Sequence, residues 1–316
     1  MRAILAVLVA LSVAGAPDAA AQVRPPRVQL DNTLGAAGQE HTQQPALESG
    51  PPLPAVGLLR EDLRFRNAAL IGAGVVLVGT YGLNKWWNDG FTGDFRTENE
   101  GWFGQNTRSG GADKLGHTYF TYAGIRLLTR GFEAIGNDPR QSLRLGMWSA
   151  LGVMTAIEVA DGYSRKYRFS AQDAIMNVAG AGLGYLLERY PDVDRLVDLR
   201  LLYKPSPGSR FDPAGDYSGQ TYLFVLKANG VSALQNHEPL RYFELALGYG
   251  SRGYENPPGS ERSRNLYIGV SLNLAEVLGR TVFRGDRERS TAQRGTDFFL
   301  EFIQLPGTAV LSRHPL

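Results

Sequence analysis

Three short motifs in the first two thirds of the chain bring ionisable side chains into helical spacing. In Gly111-Ala112-Asp113-Lys114-Leu115-Gly116-His117, His117 lies four residues after Asp113 and three after Lys114, so one helix face can hold all three. Glu158 and Asp161 are three apart in Glu158-Val159-Ala160-Asp161-Gly162. Asp173 and Asn177 are four apart after Ser170-Ala171-Gln172. Each motif stands at the end of an otherwise apolar stretch. The expectation is that Asp113, Lys114, His117, Glu158, Asp161, Asp173 and Asn177 converge at one end of a helix bundle. Charge placed there is costly unless it is paired.

Several chemistries fit these residues. Asp113 and Asp173 suit helix caps, and Ser170 with Asp173 resembles a capping box. Lys114 suits a counter-ion for Glu158 or Asp161, and is expected within ion-pair reach of at least one of Glu158, Asp161 and Asp173. His117 suits a core histidine satisfied by a hydroxyl. His117, Glu158 and Asp161 are also metal-ligand types, though their spacing matches no established metal signature. No Gly-x-Ser-x-Gly elbow, Walker loop or dinucleotide fingerprint is present, so no cofactor is expected. His117 with a carboxylate as acid and base is the enzymatic alternative, a hydrolase acting on an envelope lipid or lipid-linked phosphate.

The elements that must position these groups follow from the apolar pattern. Asn67 to Leu83 carries no charge and is followed by Trp86 and Trp87, which predicts a buried or membrane-inserted helix. Asn88 to Gly111 is Gly-rich and aromatic, which predicts a long ordered loop. Further helices are expected at about 112–135, 140–161 with Gly162 just past the end, and 171–189. Gly180 and Gly184, four apart, suit close backbone approach, with Gly180→Leu harmful and Gly180→Ala much milder. After Tyr190-Pro191, four aromatic and β-branched runs (220–227, 241–249, 265–274 and 297–304) predict an antiparallel meander. The expected fold is α+β: a compact bundle of about four apolar helices, then a small antiparallel β meander. The expected divisions are a signal peptide at 1–21, a flexible tether at 22–57, a helical domain at 58–190 and a strand-rich region at 191–316.

Taken together, Trp102-Phe103-Gly104-Gln105, the Asp113–His117 motif, the Glu158–Gly162 motif and Asp173 with Asn177 and Gly180 resemble the YfiM-like family of predicted bacterial envelope lipoproteins. The same order is distantly similar to VanZ-type membrane proteins. The resemblance spans roughly residues 84–190. It implies a helical bundle whose polar motifs meet, and no particular reaction. The lipoprotein label needs an acylated cysteine, and the chain has none.

The whole chain agrees with an envelope protein. Arg2, the apolar run Ala3–Val13 and Ala19-Ala20-Ala21 form a secretory leader, with Gln22 as the expected mature start. In 316 residues, 33 basic and 31 acidic groups leave a formal charge of +2, so no nucleic-acid partner is expected. Zero cysteines exclude a disulfide framework, a thiolate metal site and a cysteine nucleophile. The mean hydropathy of −0.21 argues against a chain that is mostly transmembrane. The expected function is an exported, membrane-associated protein of the periplasm or outer membrane of a Gram-negative cell, binding or structural in role. Its expected partners are a membrane, an envelope lipid or glycan, or another envelope protein.

Overall fold

The computed structural model describes residues 55–254, 261–284 and 289–316. The expected leader and nearly all of the expected tether lie outside them. Among the described residues are seven helices and a mixed sheet of six strands, an α+β fold.

A long helix, α1 (Ala55–Lys85), precedes the aromatic loop. Within that loop β1 (Thr97–Glu98) pairs in parallel with β2 (Phe169–Ser170), and this pairing holds the loop against the later helices. Next come α2 (Ala112–Ala134), α3 (Pro139–Tyr163) and α4 (Ala171–Arg189). Local chemistry sets their starts. Gly110 and Gly111 both have positive φ, and a side chain on Gly111 would also strike the Phe103 backbone, so only glycine turns the chain into α2 here. Asp138 caps α3 by accepting from the Arg140 and Gln141 amides at 3.1 Å, with Pro139 in the first turn. Ser170 Oγ caps α4, accepting from the Asp173 amide at 3.2 Å. One expectation fails: Gly162 does not follow α3 but lies inside it. Its missing side chain makes room for the Phe95 ring, which a Cβ would meet at 2.1 Å.

The bundle proper holds three helices rather than four. Between α2, α3 and α4, Ile125, Leu143, Ala150 and Ala181 form a buried core. Helix α1 touches this trio at few places, such as Leu70 beside Gly131 and the paired amides of Asn67 and Asn137. From Asp62 onward most of its residues are exposed.

After the short α5 (Pro191–Asp194) come β3 (Val197–Tyr203), β4 (Gln220–Lys227), β5 (Phe243–Arg252) and β6 (Ser263–Leu272). Helices α6 (Leu274–Thr281) and α7 (Thr291–Phe302) lead to β7 (Ile303–Gln304) and β8 (Ala309–Pro315). The strand order is β7-β3-β4-β5-β6-β8, antiparallel throughout except for the β3–β7 pair. Strands β3 to β6 make the expected four-strand meander with a changed membership. Residues 297–304, expected as a strand, are mostly helix α7, and β3 and β8 are additions. Tyr119, Tyr122, Leu187, Leu199, Leu201, Tyr222 and Phe302 form a core shared by bundle and sheet. Tyr119 Oη donates to the Phe302 carbonyl at 2.9 Å across that junction.

Candidate functional site

The motif residues meet where α2 and α4 begin and α3 ends. Lys114 is 1% exposed. Its ammonium lies 2.8 Å from Asp173 Oδ1, 3.0 Å from Asp113 Oδ2 and 2.5 Å from Glu100 Oε2. Of the expected partners Glu158, Asp161 and Asp173, the structure gives Asp173 and neither of the other two. Glu100 was not among the candidates. It reaches the cluster because the β1–β2 ladder pins the loop two residues before it, a non-local constraint with no local signature. Asp113 also accepts from Ser109 Oγ, and from the Lys114 amide at 2.9 Å. Gly111, rather than Asp113, is the N-cap of α2.

A second group adjoins the first through Asp173. His117 Nδ1 lies 3.1 Å from Asn177 Oδ1 and 3.4 Å from Glu158 Oε1, and Nε2 lies 3.9 Å from Asp173 Oδ1. The Thr121 hydroxyl donates to the same Asn177 oxygen at 3.1 Å. This arrangement explains why Asn177 follows Asp173 by one turn: both face α2. The other oxygen of Glu158 accepts from the Ser170 amide at 3.4 Å. Asp161 stands apart from the histidine and accepts from Trp87 Nε1 at 2.6 Å, tying the end of α1 to α3.

Burial sets the electrostatics. It pushes the Glu158 carboxyl up to about 9, reinforced by the negative charges of Asp173 and Asp161. Burial likewise carries Glu100 up to about 7 against the pull of Lys114, and Asp161 up to about 6 against its bond from Trp87. Asp173 differs: burial would raise it, but His117 and Lys114 outweigh burial and hold it below the usual carboxylate range. Burial disfavours the Lys114 charge, and Asp113 and Asp173 overcome that penalty, so Lys114 stays protonated well above its ordinary range. Chemically the Lys114 half is a closed ion-pair network. The His117 half offers one imidazole and two carboxylates with further bonding capacity.

A separate cavity of about 350 Å³ lies between the end of α1 and the β3–β4 loop. Lys85, Arg108 and Lys166 line it together with Tyr81, Trp86 and Tyr167. The Arg108 guanidinium stacks on Tyr167 at 4.3 Å from the ring centroid. None of the seven motif residues lines it.

A family described as "Predicted periplasmic lipoprotein (DUF2279)" matches the chain over residues 99–189. That segment opens just before Glu100 and closes with the last residue of α4, so it holds both halves of the cluster. The description does not extend to the YfiM-like or VanZ-type likenesses. No curated protein and no solved structure matches the chain.

Proposed function

We propose that this chain is an exported cell-envelope protein that works against a membrane surface, in a binding or structural role. The observation that carries this reading is helix α1. Asp62–Lys85 is long and apolar enough to cross a membrane, yet 6% of its most apolar stretch is buried. Helix α3 passes the same test of length and composition with 28% of its most apolar stretch buried, one side packing on α2 and α4 and its end joining the charged cluster. Tyr81 and Trp86 sit at the C-terminal end of α1, as amphipathic rings do at a membrane interface. Beside them, Lys85, Arg108 and Lys166 line the cavity; Asp212 pairs with Lys85 at 3.4 Å, and the remaining net positive charge suits an anionic lipid head group. The periplasmic description of the matched family and the N-terminal leader pattern support export. In this reading Lys114 and its three carboxylates lock the bundle end that faces the aromatic loop.

Vesicle flotation of the purified mature chain tests the proposal. Wild type is expected to float with vesicles, more so when they contain anionic lipid. Val75→Glu with Val76→Glu places two charges on the exposed side of α1 and is expected to abolish flotation at unchanged helical circular dichroism. Wild-type protein that stays at the bottom of the gradient with every vesicle composition overturns the reading.

A further inference from the structure

We propose that His117, Glu158 and Asp173 form a binding site for a divalent first-row metal ion, with zinc the first ion to test. One ligand atom from each residue lies within 4.8 Å of the other two. The three come from three different helices, so the bundle itself fixes their separation. Zinc bonds of about 2.0–2.2 Å to nitrogen and oxygen give ligand–ligand edges of roughly 3.4 Å in a tetrahedron. His117 Nε2 stands 3.9 Å from Asp173 Oδ1, near that spacing before any ion draws them in, and the other ring nitrogen, Nδ1, lies 3.4 Å from Glu158 Oε1.

A second observation points to a ligand. Glu158 is 1% exposed, and its Oε1, on the His117 side, has no hydrogen-bond partner. A buried oxygen without a partner is costly, and Lys114 makes its contacts with Glu100, Asp113 and Asp173 instead. Lys114 is thus shared by three carboxylates and leaves Glu158 without a cation, and a divalent ion between His117, Glu158 and Asp173 supplies one.

Asn177 completes the arrangement. With its carbonyl oxygen accepting from His117 Nδ1, the tautomer is fixed and Nε2 presents its lone pair toward Asp173, as outer partners of ligating histidines do. One imidazole and two carboxylates suit Zn²⁺, Mn²⁺ or Ni²⁺ better than a thiophilic ion. Three protein ligands leave a coordination position for water, and the partly exposed His117 edge is the side from which it enters.

The experiment counts metal in the intact chain. Protein stripped with a chelator, incubated with Zn²⁺ and desalted is expected to hold one zinc per chain and to melt higher than the stripped form. Glu158→Gln keeps the shape and removes the ligand charge. It and His117→Ala are expected to cut retained zinc at least tenfold, whereas Asp161→Asn, bonded to Trp87, retains it. Co²⁺ loaded into wild type gives a readout that needs no variant, since intense visible absorption reports a low-coordinate nitrogen and oxygen site. Two outcomes overturn the proposal. Wild type that retains no metal while Glu158→Gln melts at or above it makes Glu158 a neutral buried acid. Zinc retained equally by all variants places the ion elsewhere.

Discussion

At the scale of single residues, α2 carries one device twice. Lys114 sits among Glu100, Asp113 and Asp173, and three turns later Arg126, fully buried, sits among Glu188 at 2.9 Å, Asp194 at 2.8 Å and Glu301 at 3.2 Å. The first cation ties loop, α2 and α4 together. The second ties α2 and α4 to α5 and α7, and so to the sheet. Only the first was legible in the sequence. Asp113, Lys114 and His117 share a helical spacing, whereas the partners of Arg126 lie 62 or more residues away and declare themselves only through the fold. Removing one partner of a buried ion pair costs about 3–5 kcal/mol, because the other charge stays behind unpaired. Lys114→Met leaves three carboxylates behind, so its urea midpoint should fall by an amount equivalent to that range. Asp173→Asn should restore part of the loss, since Lys114 makes the shortest of the Asp173 charge contacts. A Lys114→Met protein with an unchanged midpoint removes the lock from the argument.

At the scale of elements, the helices were legible because their signals are local. Ser170 and Asp138 are side-chain caps, Pro139 opens α3, and Tyr190-Pro191 closes α4. The strands were less so. Residues 297–304 carry Phe298, Phe299 and Phe302, and aromatic density suggested a strand. The helical cue was the pair Phe298 and Phe302, four apart, whose rings touch at 5.0 Å, with Ser290 Oγ capping at the Gln293 amide. The small-residue face of α4 was expected, but its tightness was not. A Cβ on Gly180 would lie 2.2 Å from the Thr118 carbonyl oxygen of α2, and a backbone atom cannot swing aside. Gly180→Ala is therefore itself harmful, correcting the expectation of a mild effect, and should destabilise by about 1–3 kcal/mol. Gly182 has nothing within 4 Å of its Cβ position on the same helix, so Gly182→Ala should stabilise by up to about 1 kcal/mol through helix propensity. Thermal melts of the two variants should shift in opposite directions. Equal shifts mean the α2–α4 contact is looser than the structure places it.

At the scale of the whole molecule, the sheet buries a mixed face, in which polar groups stand beside Leu223, Val225 and Ala246, and leaves part of its apolar face open. Strand register puts Asp198, Arg200, Glu244 and Ser271 on one face, where they are buried. Arg200 bonds Asp198 at 2.6 Å and Glu244 at 2.7 Å, and Ser271 donates to Glu244 at 2.8 Å. The opposite face carries the bundle over Leu199, Leu201 and Tyr222 and is then open across Leu226, Leu245, Val270 and Val310, which pair strand to strand. Leu247 and Ile268 extend it, and Val310 is 83% exposed. An exposed apolar patch spanning four strands marks an interaction surface. Together with α1 it gives the molecule two apolar surfaces, both consistent with the proposed membrane association. The sequence hid this, because alternation in β5 tells that one face is apolar and not which face is buried. Leu245→Glu with Ile268→Glu separates the possibilities. These side chains are 60% and 55% exposed, so the pair should leave the unfolding midpoint within about 1 kcal/mol of wild type. The same variant should bind vesicles more weakly and need less detergent to stay monodisperse. If it instead loses several kcal/mol, as core substitutions do, the face is covered in solution by protein, and membrane association rests on α1 alone.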